Sequence, residues 1–359
     1  MEGIIIKCCS HLQEARTVSG IYHLITGKKS IQTVQDAHSY RLDQFFGIYK
    51  SLPKQDFDNI IAELISHEYL IVRGESFVIP TTAGEKWLDQ NRTDLPFEYF
   101  NGLKYIETGI TYSQRLLLLI QTLTNIKMNN YSFIPIIDKS SITTWVRTLY
   151  HTRIDNKNEW SHRIYEELYT LLNQLTDLEA GLFVDRLTGF QRVGMSSHQL
   201  ATKYNLDVHN VYIHLVGIVH RLLDTINSDK SKFYVMSLLL EDMTDNVFIT
   251  NSAKETYHLL NQNLSIYEIA AYRKLKVNTI YDHVIEIALN DEHFPKHNYV
   301  NEDEEQDIIN AIKQTNSFKL KDIKHIIDAN ISYFQIRLVI AMAKLSIKTG
   351  EEYEEKQST

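Results

Sequence analysis

The sequence predicts a mainly α, multi-domain helical protein with an N-terminal winged helix and repeated helix-turn-helix units. Three observations predict it. Glycine is sparse, at 13 of 359 residues, and there are only five prolines, so most of the chain lacks the residues that interrupt helices. Apolar residues recur at helical spacing along most of its length, with one β-hairpin pattern near the start. A pattern of two short helices joined by a tight turn occurs twice, without a gap.

Leu12, Ala15, Val18, Tyr22 and Ile25 predict a helix over residues 12–26 that stops at Gly27. Lys28, Lys29 and Ser30 follow. Ser30 suits a helix N-cap, and the lysines add charge beside unsatisfied backbone amides, a combination that favours phosphate; a solvated turn accounts for the same residues. Pro53 opens an amphipathic helix through Phe57, Ile60, Ile61, Leu64 and Ile65. Residues 69–72 and 77–79 flank Gly74 and Glu75 as a hairpin, a wing with Arg73 at its tip. Residues 1–95 are the expected winged-helix domain.

Residues 96–185 read as a helical middle domain. Residues 116–123 are almost continuously apolar, and Trp145, Val146, Leu149 and Tyr150, then Ile164, Leu168, Leu171, Leu172 and Leu175, give helical stripes. These lack the basic interleaving of a base-stacking surface, so they are assigned to packing. Asn129, Asn130 and Pro135 mark a loop within residues 125–139.

The repeat follows. Residues 195–215, MSSHQLATKYNLDVHNVYIHL, align at an offset of 69 with residues 264–284, LSIYEIAAYRKLKVNTIYDHV. Ser196/Ser265, Ala201/Ala270, Leu206/Leu275, Val208/Val277, Tyr212/Tyr281 and His214/His283 are identical. Each copy reads as a helix-turn-helix, with Ala270 at the crossing of its two helices, where a larger side chain would hold them apart. In a DNA reader the N-terminal residues of the second helix face bases and phosphates. Those positions and their basic neighbours are Lys203, His209 and Asn210 in the first copy, and Lys274, Lys276, Asn278, Thr279 and Tyr281 in the second. Asp282 opposes phosphate, and Asp207 caps the second helix of the first copy where Lys276 stands in the other. Helix-turn-helix units also serve as plain packing units, so the exposed positions decide. The expected segments are 186–250 for the first unit, 251–348 for a C-terminal helix-turn-helix domain and 349–359 for an acidic tail.

Two resemblances attach to these residues. Residues 16–93 resemble the RQC winged-helix domain of RecQ-type helicases, through the GKKS turn at residues 27–30, His38, Leu42, the FFGI element at residues 45–48, Phe57, EYL at residues 68–70 and TTAG at residues 81–84. The resemblance implies that this domain grips duplex next to an unwinding fork, with Lys28, Lys29, Ser30 and Arg73 on phosphates. Residues 253–345, with LSIYEIAAYRKLKVNTIYDHV and ISYFQIRLVIA, resemble the helix-turn-helix module at the C-terminus of many bacterial RecQ-type helicases. The full order of features is similar to the YpbB family of low-GC Gram-positive bacteria. That similarity implies a DNA-binding accessory protein working in trans with a RecQ-type helicase that lacks its own RQC domain.

Composition constrains the rest. The formal net charge is −8, whereas an autonomous DNA binder usually carries a positive balance. The imbalance is local: residues 254–348 hold twelve Lys and Arg against thirteen Asp and Glu, and five of those acids lie in residues 302–307. The two cysteines are adjacent at Cys8 and Cys9, a spacing that supports neither a disulfide framework nor a zinc site. No stretch reaches membrane-spanning length, so the expected location is cytoplasmic, and nucleoid-associated on DNA. The sequence holds no GxxxxGK[ST], HExxH or GxSxG motif, and neither a catalytic site, a metal nor a cofactor is expected. The expected function is a non-enzymatic DNA-binding accessory subunit in repair or recombination; a sequence-specific transcription regulator and a protein-only scaffold are the alternatives.

Overall fold

The computed structural model describes residues 1–74, 76–91, 97–243, 250–291 and 293–343. The acidic tail and the last two residues of the 253–345 resemblance lie outside them, as does Glu75 in the wing turn. Among the described residues the chain forms nineteen α-helices and one two-stranded antiparallel sheet. None of these helices is long and apolar enough to cross a membrane. The chain is thus mainly α, and it divides into two compact units: residues 90–246 with Met1, and residues 2–89 with 247–359.

The second unit joins the two ends of the sequence. Its first helix, Glu2–Leu12, buries Ile4, Ile5, Ile6, Cys8, Cys9 and Leu12, so the apolar start of the chain is core. The helix expected over residues 12–26 is divided. A short 3-10 turn at Gln13–Ala15 follows the first helix, Arg16 is extended, and a new helix runs over Val18–Thr26. Gln13 has φ +43°, which ends the first helix, and beyond the break Arg16 makes a two-pronged pair with Asp36 at 2.6 and 2.7 Å. Gly27 at φ +68° closes Val18–Thr26, with the Lys28 amide bonded to the His23 carbonyl at 2.8 Å. Helices Ile31–Ser39 and Lys54–Ser66 precede the wing, whose strands Leu70–Arg73 and Phe77–Pro80 pair Arg73 with Phe77.

Thr81 and Gly84 lock the wing to the next helix, Thr82–Gln90. Thr81 Oγ1 donates to the Glu68 carbonyl at 2.6 Å and accepts from the Gly84 amide at 3.0 Å. A Cβ at Gly84 would stand 2.2 Å from the Tyr69 carbonyl oxygen, so only glycine permits this approach.

The C-terminal segment of the same unit contains helices Asn251–Leu260, Ile266–Arg273, Val277–Asn290, Glu302–Thr315, Leu320–Ile326 and Tyr333–Met342. Ile269, Ile280, Val284, Ile308, Ile323, Ile336 and Leu338 are buried. Helix Ile31–Ser39 packs on both Val277–Asn290 and Tyr333–Met342. Gln35 donates to the Arg337 carbonyl at 2.9 Å, and Tyr40 meets Phe318 edge-on at 5.6 Å.

In the other unit, helix Thr108–Lys127 packs against Ser140–Arg153, Lys157–Leu172 and Val208–Ser228. Trp160, Ile164, Leu168 and Leu171 are buried, and Trp145 carries the Arg115 guanidinium 3.9 Å over its ring, so these stripes pack. Gln121 fixes the connection before Ser140–Arg153, donating to the Ile134 carbonyl at 3.0 Å and accepting from the Ile136 amide at 2.8 Å. The loop itself starts after Lys127, three residues later than the sequence suggests, because Asn125 continues the helix and its side chain holds the Gln121 carbonyl.

Candidate nucleic-acid interface

The two copies of the repeat fold alike. Ser196 and Ser265 each cap a helix through a reciprocal capping box, with Gln199 and Glu268 as partners. Those helices, Ser197–Tyr204 and Ile266–Arg273, end at residues in left-handed conformation, Asn205 at φ +52° and Lys274 at φ +53°. The second helices start at Val208 and Val277. Leu200, Ile269, Val211 and Ile280 are fully buried, and Ala270 is 5% exposed. The repeat therefore reflects a shared packing scheme.

The copies differ at their surfaces. In the first, Lys203 pairs with Asp185, which also accepts from Tyr204 at 2.8 Å and Arg192 at 3.0 Å. These partners hold the Asp185 carboxyl below the usual range. Asn210 accepts from the N-terminal ammonium of Met1. His209 is half-buried, and Asp207 caps its helix by accepting the His209 amide at 2.7 Å. Lys203 and Asn210 are thus occupied by partners of the fold.

The second copy is more open. Lys274, Lys276 and Asn278 are exposed, and Thr279 is half-buried. Lys276 occupies the N-cap of Val277–Asn290 without a side-chain cap bond. From Ile280 onward the helix is largely enclosed, with His283, Val284, Ile285, Glu286, Ile287 and Ala288 buried. Its first turn is what presents a polar face. Tyr281 is half-buried and stacks on Phe334, with ring centroids 4.2 Å apart. The matched histidines also pack: His283 Nδ1 meets Thr256 Oγ1 at 2.8 Å, and burial lowers the basicity of both His214 and His283.

At the N-terminal end of the chain, Lys28 and Lys29 are exposed between Val18–Thr26 and Ile31–Ser39. Ser30 caps the latter helix, accepting the Thr33 amide at 3.3 Å. Burial first, and then Lys28 and Lys54, hold His23 below its ordinary basicity. Lys54, absent from the sequence-derived set, therefore belongs to the electrostatic surroundings of the GKKS turn, although it also pairs with Asp58. Its place directly after Pro53 is the available signal, since both helix starts follow turns. Arg73 is exposed at the end of its strand, next to Gly74 at φ +59°.

Residues 4–97 match the RQC domain, and residues 252–340 match a helix-turn-helix domain. Protein YpbB of Bacillus subtilis (strain 168) is 29% identical over 339 residues, covering 94% of this chain and 96% of YpbB. The chain is thus similar to YpbB along nearly its whole length, and it carries matches to an RQC domain and a helix-turn-helix domain. No solved structure gives a match. RQC and helix-turn-helix domains are DNA-binding rather than catalytic; the helix-turn-helix match and residues 4–89 of the RQC match fall in the unit that joins the chain's two ends.

Proposed function

We propose that the protein is a non-enzymatic accessory subunit that supplies winged-helix and helix-turn-helix DNA contacts in trans to a RecQ-type helicase lacking its own RQC domain, in DNA repair or recombination. The observation that carries this reading is the packing of Ile31–Ser39 on Val277–Asn290 and Tyr333–Met342. That packing joins the RQC domain and the C-terminal helix-turn-helix domain in a single compact unit, so their contacts reach DNA together. The DNA contacts are Lys28, Lys29, Ser30 and Arg73 at one end, and Lys274, Lys276, Asn278 and Thr279 at the other. The first repeat copy serves packing, as the engagement of Lys203 and Asn210 supports.

The net charge of −8 opposes tight binding by the protein alone. Tethering to a motor already on DNA raises the effective concentration of its contacts to the order of millimolar and makes weak contacts useful. Such work takes place in the cytoplasm, at the nucleoid. The test mixes the purified chain with a RecQ-type helicase that ends at its zinc module and measures complex formation and unwinding of forked duplex. A complex that unwinds faster than the helicase alone is expected. No complex and unchanged unwinding at micromolar concentrations of both would overturn the accessory role, and selective binding to one duplex sequence would replace it with transcriptional regulation.

A further inference from the structure

An aromatic groove of about 480 Å³ opens in the C-terminal segment of the unit that joins the chain's ends, lined by Tyr267, Tyr281, Tyr299, Phe334, Asn298 and Gln335 together with the capping serines Ser265 and Ser332. Its floor is stiff. Tyr281 stacks on Phe334 at 4.2 Å, Tyr299 meets Phe334 edge-on at 5.7 Å, and Phe294 stacks against Tyr299 at 5.9 Å. Tyr267 stands at the mouth and is 68% exposed.

The charge around the groove selects its occupant. Among the described residues no lysine or arginine lines it, which disfavours a phosphate backbone. Two carboxylates are instead hydrogen-bonded to lining residues. Glu268 accepts from the Ser265 amide at 2.8 Å and its hydroxyl at 2.7 Å, and Glu304 accepts from Gln335 Nε2 at 3.0 Å and the Asn301 amide at 3.0 Å. Neighbouring cations are occupied elsewhere: Lys296 pairs with Glu305, and Arg337 with Asp282. Electron-rich ring faces beside anionic groups attract a cation, and a guanidinium does this best because it stacks flat on a ring while its N–H groups reach carboxylates.

We propose that this groove docks a basic, arginine-bearing segment of a protein partner, with a guanidinium stacked on Tyr267 and its charge answered by Glu268 and Glu304. The inference goes beyond the proposed function, because it uses none of the DNA-contact lysines and does not require the partner to be a helicase.

Fluorescence anisotropy on the full chain tests it, with a labelled peptide of four Gly-Arg-Ser repeats and, separately, a labelled oligothymidine of twelve nucleotides. The peptide is expected to bind. Tyr267→Ala should weaken it by about fivefold or more and Glu268→Gln by a similar factor, whereas Tyr267→Phe keeps the ring and the affinity. A thermal melt of Tyr267→Ala matching wild type shows that the loss is not unfolding, and unchanged fork-DNA binding separates this result from the DNA reading. No binding of the peptide, or binding indifferent to Tyr267→Ala, overturns the proposal. Loss of oligothymidine binding in Tyr267→Ala with the peptide unaffected also overturns it, and makes the groove a base-stacking platform.

Discussion

Arg337 donates to the Asp282 carboxylate at 2.7 Å and, through Nε, to the Gln35 side chain at 3.3 Å. The acid that the sequence sets against phosphate on Val277–Asn290 is thereby neutralised from Tyr333–Met342, and the same arginine ties the helix-turn-helix domain to Ile31–Ser39.

The first prediction follows from that pairing. Arg337→Gln should expose the Asp282 charge and weaken fork-DNA binding by about twofold to fivefold, the range of a partly exposed charge interaction. Adding Asp282→Asn should restore the affinity, because the repelling charge is then gone. Anisotropy titrations of the two variants check this, and a double variant no better than Arg337→Gln would show that Asp282 does not face DNA.

Lys276→Asp separates folding from binding. Lys276 sits at an N-cap without a cap bond, where Asp207 supplies one in the first copy. The aspartate should stabilise the unit by about 1 kcal/mol and also favour the positive end of the helix. Fork-DNA affinity should fall, since a cation is replaced by an anion. A melt that rises while the dissociation constant also rises is the expected pair of results; a rise in both stability and affinity would remove Lys276 from the interface.

Much of this architecture is legible in the sequence because it rests on short-range rules. Among the six identities of the repeat, Ser196/Ser265 is a cap, Ala201/Ala270 a crossing and Val208/Val277 a helix start, positions that local hydrogen bonding and size dictate. The hairpin is legible from its two β-rich runs around Gly74. The break at Arg16 is not, because Leu12, Ala15 and Val18 keep helical spacing while the break accompanies a pair with Asp36 twenty residues away. The aromatic groove escapes a sequence reading for the same reason: Tyr267, Tyr281, Tyr299 and Phe334 come from four separate segments, and no local pattern announces that they meet. Tyr281 reads as a DNA contact because its position in the second helix fits one, whereas its stacking partner Phe334 lies in a later helix.

Acid should destabilise the unit formed by residues 90–246. His220 accepts the Asn101 amide at 3.1 Å, and burial lowers its pKa from 6.5 to about 4. A depressed histidine pKa means that the unfolded chain binds the proton more readily, so the stabilisation is present above pH 6.5 and is lost progressively as pH falls toward 4. Between neutral pH and pH 5 the loss from this group should reach about 2 kcal/mol. His220→Gln keeps an acceptor without a titrating ring, and its melting temperature should depend less on pH over that window. Equal pH dependence in both proteins would exclude His220 as the cause.

The most direct test of the account is the salt dependence of fork-DNA affinity, measured at several concentrations between about 50 and 200 mM. Lys28→Ala/Lys29→Ala removes charge from the winged-helix side. Lys274→Asn removes it from the helix-turn-helix side while keeping a residue suited to the left-handed conformation that Asn205 adopts in the other copy. If both sides contact DNA from a single unit, each variant flattens the plot of log affinity against log salt by roughly 0.9 for every phosphate that is no longer neutralised, and the triple variant shows the sum. A slope that only one of the two sets changes, or that neither changes, would contradict it.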